Sequence, residues 1–241
     1  MRFLEIIGGF ILFLRETFSN RVREKILFQR FIEECVEIGL KSTVIIVVIS
    51  VFVGAVCCIQ INNVLRNPLL SKSMVSVGLK NMVMLELSST LSGIIFAGKI
   101  GCDIASQIET MKITEQIDAL NIMGVNSNSY IACPKIMASV VMFPLLVILS
   151  TFTALFVGYL VGTNILHIPS ETFLSGYKFT YNPRHIPYVL EKSICFSFLI
   201  SAISAFCGYK SSKIGTASKM SFTYSCILVL IADYILTTIL L

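Results

Sequence analysis

Residues 43–65 read TVIIVVISVFVGAVCCIQINNVL, twenty-three consecutive positions without a charged side chain. About 20 apolar residues in a helix span the hydrocarbon core of a bilayer. Backbone N–H and C=O groups find no water there, so such a segment must satisfy them internally, as a helix does. The stretch predicts a transmembrane helix. Four further apolar runs lie downstream, at Ser73–Ile100, Ile136–Ile165, Tyr188–Gly208 and Ser221–Leu241. The second and third spans exceed the minimum length, so they tilt, kink or project, with Pro144 a natural kink point.

Composition agrees. Of 241 residues, 55% are hydrophobic and 14% charged, and mean hydropathy is +0.84. Soluble domains carry about a quarter charged residues, so a soluble enzyme and a disordered chain are both excluded. The expected fold is all-α: a polytopic membrane protein of five transmembrane helices, preceded by amphipathic interfacial helices. Residues 1–42 form that amphipathic part and 43–241 the membrane domain.

Upstream, Phe3, Leu4, Ile6, Ile7, Phe10, Ile11, Leu14 and Phe18 fall three and four apart, opposite Arg2, Glu5, Arg15, Glu16 and Ser19. This makes one apolar helical face. An early Glu5 and the lack of a small-residue cleavage site argue against a signal peptide. A second amphipathic segment runs from Arg23 to Leu40, with Leu27, Phe28, Phe31, Ile32, Cys35 and Val36 on one face and Arg30, Glu33, Glu34, Glu37 and Lys41 on the other. Both are expected to lie in the headgroup plane.

The net charge is +5, and seven of the nineteen Lys and Arg residues fall before position 42. Nucleic-acid binding needs basic residues clustered with reader side chains, which this chain lacks. With the N-terminus cytoplasmic, thirteen cations fall inside; Arg66, Lys72, Lys80, Lys178, Arg184 and Lys192 fall outside. The positive-inside rule then places the C-terminus outside, with Lys80 snorkelling to the outer interface.

Catalytic arrangements are missing. The eight cysteines include no CxxC pair and lie mostly in apolar runs, where cysteine acts as a small apolar residue. His167 and His185 read as solvated loop residues, too few for a metal cluster. No nucleotide-binding loop and no nucleophile elbow occur. No cofactor is expected, and energy for uphill movement must come from a separate subunit.

Two features carry functional weight. Between Gly101 and Lys135, Ile113, Ile117, Leu120 and Met123 recur at helical spacing, with Glu115, Gln116, Asp118 and Asn121 facing elsewhere. Thr114 is placed to cap this short helix, and Gly124 to end it. Such a helix between two spans is a handle for a soluble partner; the same pattern also describes an inert surface helix. The second feature is Glu86, near the middle of the second span. A carboxylate at that depth is costly and should face protein or a wet cavity, either lining a substrate path or making a helix–helix hydrogen bond. Asp233 has Tyr234, Thr237 and Thr238 as local partners. Gly93, Ala97 and Gly101, and Gly158 with Gly162, are spaced for close helix packing. Gln60, Asn62 and Asn63 lie at the outer end of the first span, beyond Cys57 and Cys58, where they would line a mouth.

The block Gly93-Ile-Ile-Phe-Ala-Gly-Lys-Ile-Gly101, then Glu109 and Met111-Lys-Ile-Thr-Glu-Gln-Ile-Asp-Ala-Leu120, closely resembles the signature of MlaE-like (Mla/YrbE) permeases, the membrane subunits of ABC transporters that move phospholipid between the membranes of Gram-negative bacteria. The resemblance continues through Met123-Gly124-Val125, Pro134-Lys135, Phe143-Pro-Leu-Leu146, Gly208-Tyr209, Gly215 and the Asp233 region, covering about residues 40–241. It implies a homodimer in the inner membrane, multi-pass, with no catalytic site of its own. It also implies an ABC ATPase docked on a coupling helix near 114–123, through Thr114, Glu115, Ile117, Asp118, Leu120 and Met123. An MCE-domain substrate-binding protein would sit on the periplasmic side, where the C-terminus also lies. The family's intramembrane glutamate falls on Glu86. Its usual Arg-Glu-Leu-Gly-Pro context is changed here, with Leu85 for the arginine and Ser88-Ser89 for Gly-Pro, so half of the expected charged pair is missing. An ion-coupled carrier using Glu86, or a membrane-embedded lipid enzyme, are the other readings; the enzyme would need a polar cluster the sequence does not show.

Overall fold

The computed structural model describes residues 2–19, 24–65, 71–179, 182–211, 213 and 215–240. Arg21, Arg23 and Arg66 lie outside these, as do the side chains of Arg2, Phe3, Leu4, Ile6, Ile7 and Lys25. Among the described residues there is helix and no strand. Five helical runs are long and apolar enough to cross a membrane: Leu27–Val64, Ser73–Ile113, Asn128–Asn164, His185–Lys210 and Thr216–Ile239.

The first helix, α1, covers Arg2–Ser19. The second amphipathic segment is not a separate element: Glu24–Val64 forms one 41-residue helix, α2, about 60 Å long and twice the hydrocarbon thickness. Nothing between the two halves breaks it. There is no proline, and Gly39 lies so close to the Met142 methyl that a Cβ would collide with it.

The second span also runs on. α3 (Ser73–Met82), a π-helical turn at Val83–Leu87, α4 (Ser88–Phe96), a second π turn at Ala97–Gly101 and α5 (Cys102–Ile113) follow without interruption. The short α6 is Gln116–Ile122. The third span begins with a π turn at Asn128–Ala132 and continues as α7 (Cys133–Asn164), through Pro144. The expected inner loop of Gly101–Lys135 is therefore mostly helix, its connection reduced to the residues around α6. α8 (Ser170–Phe179) lies where sequence reading gave only a loop, and α9 (His185–Lys210) and α10 (Thr216–Leu240) complete the chain.

Contacts divide the chain into two compact units. One comprises Met1–Ser42, Gly93–Pro144 and Ile194–Leu241. Its core includes Phe96 packed on Phe143 (ring centroids 4.7 Å apart) and the buried Ile104, Ile108, Ile136 and Ile200. The predicted small-residue packing occurs here: a Cβ on Gly101 would meet Ser204 Oγ at 2.9 Å. α1 docks its Phe10 and Phe13 against Phe206 and Tyr209, while Ile11, Leu12 and Phe18 stay exposed. Lys135, counted from sequence among the inner cations, is buried and bonds Glu34 (2.5 Å) and Gln107 (2.6 Å), tying α2, α5 and α7 together.

The other unit comprises Thr43–Ser92 and Leu145–Ser193. Its core is Cys58, Val75, Leu79, Val83, Ala154, Ile168 and Phe173. Gly54 lets α2 approach the Ala154 backbone with no room for a side chain. The hydroxyl of Ser50 donates to Ser150 (2.8 Å), and that of Ser92 also bonds Ser150 (3.2 Å). Gly162 admits the Phe173 ring, which also packs edge-on against Tyr159 and Tyr177. Tyr177 donates its hydroxyl to the Leu155 carbonyl (3.1 Å). Burial, with a small contribution from nearby Cys58, pushes the phenol up, so it stays a donor. Lys80, expected to reach outward from the second span, is enclosed by protein. α8 covers it, leaving it 6% exposed, and its Nζ donates to the Tyr177 carbonyl at 3.0 Å.

Candidate functional site

α5 and α6 meet at a sharp corner. Thr114 does not cap α6: it ends α5, its hydroxyl donating to the Thr110 carbonyl at 2.8 Å. Glu115 then takes the left-handed conformation, φ 59°, and occupies the N-cap position without a side-chain cap bond. Few non-glycine residues adopt this geometry. It turns α6 away from the axis of α5. At the other end Gly124 has φ 77°, its N–H bonding the Asn121 carbonyl (3.0 Å), while the Val125 N–H bonds that of Leu120 (3.1 Å). That glycine stop is as expected.

The face of α6 differs from its sequence pattern. Ile117 is 6% exposed and Leu120 half-buried, so these two dock the helix on its own chain. Met123 and Ile122 are exposed at 68% and 87%, and Glu115, Asp118 and Asn121 are also exposed. The surface open to a partner is therefore a mixed polar and apolar one around Asp118, Ile122 and Met123.

The last turn of α5 grips the connection between α9 and α10 at both ends. Glu109, buried on α5, accepts from the Gly215 N–H (2.8 Å), the Ala217 N–H (3.0 Å) and the hydroxyls of Ser211 (2.5 Å) and Thr216 (3.3 Å). Lys112, three residues on and so on the same face, donates to the carbonyls of Tyr209 (2.5 Å) and Ser211 (3.0 Å). The carboxylate thus meets the free N–H groups that open α10 and the ammonium the free carbonyls that close α9, both charges matching the helix dipoles. The segment after α6 is held as well. Tyr209 donates its hydroxyl to the Ser127 carbonyl (3.0 Å), Ser129 donates to the Thr17 carbonyl (3.0 Å), and Asn128 donates to Glu16 (2.9 Å). α5, α6 and their flanks therefore form one braced corner with α1, α9 and α10. The sequence motif contains Glu109 and Lys112, yet nothing in it shows which atoms they hold.

In the second unit, Glu86 lies in the π turn Val83–Leu87, a helical irregularity common at functional sites. Lys192 Nζ is 2.9 Å from its Oε2, and Tyr188 donates its hydroxyl to Oε1 at 3.3 Å. The ammonium also lies 5.0 Å from the centre of the Tyr188 ring. The charged pair that Leu85 had seemed to halve is therefore completed from α9. Sequence reading missed this because Lys192 counted as an outer cation. Its spacing from Tyr188, four residues along one helix face, was the available signal. The Lys192 side chain is fully buried, whereas that of Glu86 is 38% exposed.

The hydroxyls of Thr237 and Thr238 donate to the backbone carbonyls of Asp233 and Tyr234. Gln60 and Asn63 are exposed near the end of α2, and His167 is an exposed residue with φ 50°. His185 is not fully solvated: it opens α9 half-buried. No group of three or more potential metal ligands occurs among the described residues.

Comparison with known proteins places these features in a family. The family described as Permease MlaE matches residues 31–239. A probable ABC transporter permease protein of Rickettsia bellii (strain RML369-C) is 31% identical, the match covering 98% of this chain and 93% of that protein. A similarly named protein of Synechocystis sp. is 24% identical over 98% of this chain and 90% of its own length. One from Porphyra purpurea is 36% identical over 53% of this chain and 48% of its own. With five apolar spans, a braced α5–α6 corner and a match over nearly its whole membrane region, the chain belongs to the MlaE permease family of ABC transporters.

Proposed function

We propose that this protein is the permease subunit of an ABC transporter that moves phospholipid between the inner and outer membranes, with ATP hydrolysed by a separate subunit. The observation that carries the reading is the corner at Glu115. A short helix with an exposed Asp118–Ile122–Met123 surface follows directly from a span-length helix that also grips the ends of α9 and α10. An ATPase that pulls on α6 pulls on those helices too, so a local motion becomes a rearrangement of spans.

The protein works as a homodimer in the inner membrane. Its N-terminus is cytoplasmic, on the ATPase side; its C-terminus is periplasmic, where an MCE-domain protein exchanges lipid with it. Support for the dimer comes from α10, which is little buried within the chain and exposes Met220, Tyr224, Ile227, Ile231 and Tyr234, along with Phe222, Leu230 and Ile235 on its other faces, so that it is free to pack on another helix. Glu86, with Lys192 and Tyr188, is the polar contact for the lipid headgroup.

Affinity purification of the tagged protein from its own membranes tests the assignment. An ABC ATPase and an MCE-domain protein should copurify, and Ile122→Asp should lose the ATPase while the MCE-domain protein remains. Normal ATPase recovery with Ile122→Asp would remove α6 from the docking surface. A carrier driven by an ion gradient would copurify with no ATPase and would transport lipid without ATP.

A further inference from the structure

Glu86 and Lys192 are not equivalent charges. The ammonium is wholly enclosed and the carboxylate is more than a third exposed. Whatever approaches this point meets the negative end of the pair first. Within a membrane-spanning bundle, where screening is weak, that order decides which headgroup group is attracted. A phosphate or other anion would come up against the carboxylate, with the lysine shielded behind it. A primary ammonium would meet the exposed carboxylate as a charge-assisted hydrogen-bond donor.

The neighbouring side chains fit the same orientation. Tyr188, itself buried, donates its hydroxyl to Oε1 and places its ring beside Lys192, which leaves the carboxylate as the exposed member of the group. One turn before Tyr188 on the same face of α9, His185 is half-buried, and its Nδ1 has no hydrogen-bond partner among the described residues.

We infer that Glu86, set against the buried Lys192, selects phospholipids whose headgroup carries a primary ammonium over those with an anionic or a quaternary headgroup. The inference rests on the reading of this protein as a phospholipid permease. A quaternary ammonium keeps the charge but lacks the N–H donors, so it should fall between the other two classes.

The test uses the permease with its copurified partners in vesicles of defined composition. Labelled phosphatidylethanolamine, phosphatidylcholine and phosphatidylglycerol are offered separately, and ATP-driven transfer of each is measured. Phosphatidylethanolamine should exceed phosphatidylglycerol by on the order of tenfold, about the worth of one charge-assisted hydrogen bond. Glu86→Gln should bring the ratio close to one. Equal transfer of the three lipids by the unaltered protein overturns the selectivity and leaves phospholipid transport intact. Transfer of none of them overturns the permease reading itself. Should Glu86→Gln fail to fold, Glu86→Asp, which keeps the charge on a shorter arm, must retain the order of preference; loss of the preference with Asp while transfer continues also counts against the proposal.

Discussion

At the residue scale, the Glu86–Lys192 pair should respond unequally to loss of either partner. Removing Glu86 strands a fully buried ammonium, a change that typically costs roughly 3–5 kcal/mol. Removing Lys192 leaves a carboxylate that is 38% exposed rather than enclosed and keeps the Tyr188 hydroxyl as a donor, so Lys192→Met should cost less, about 1–3 kcal/mol. Thermal unfolding in detergent would show this as a larger fall in Tm for Glu86→Ala than for Lys192→Met, with the double substitution Glu86→Leu plus Lys192→Met recovering part of the loss. Equal losses would contradict the unequal enclosure of the two charges. Glu109 makes a different prediction. Its Oε2 accepts from the Gly215 N–H and its Oε1 from Ala217 N–H and two hydroxyls. Glu109→Gln turns one acceptor into a donor and sets it against a donor. Copurified ATPase should stay bound and hydrolyse ATP, with lipid transfer per ATP falling several-fold. Unchanged transfer per ATP would show that the grip on α10 does not transmit motion.

At the element scale, α6 assigns its residues to two jobs. Ile117→Asp inserts a charge where the helix docks on its own chain and should lower folded yield, whereas Ile122→Asp alters an 87% exposed position and should leave folding unchanged. Size-exclusion profiles of the two variants read the difference; identical profiles would contradict the packing. The sequence pattern put Ile117, Leu120 and Met123 on one face because periodicity reports that a face is apolar and not which partner covers it. The five spans were legible for the opposite reason, since runs such as Ser221–Leu241 have one stable fate in a bilayer. Helix ends were not. α2 and α5 outrun the apolar runs because polar residues such as Glu34, Gln107 and Glu109 continue a helix when a tertiary partner bonds them. α8 was hidden because its order comes from Phe173 entering the space above Gly162. Lys192 was hidden because its spacing from Tyr188 shows a shared helix face and not the carboxylate 106 residues away that both side chains meet.

At the scale of the whole molecule, α10 sets the expected assembly. The long apolar window of α9 is 61% buried within the chain and that of α10 only 11%. Native mass spectrometry should find two copies, and the paired substitution Ile227→Asn with Ile231→Asn should shift the population to one. Two copies with those variants would place the dimer contact on another helix. The central claim is that ATP hydrolysis on a partner drives lipid through this permease. The most direct measurement is phospholipid transfer between vesicles by the purified complex, with intact ATPase and with ATPase that binds but does not hydrolyse ATP. The account predicts transfer that needs ATP and stops with the hydrolysis-deficient partner; transfer that continues at the same rate without ATP would contradict it.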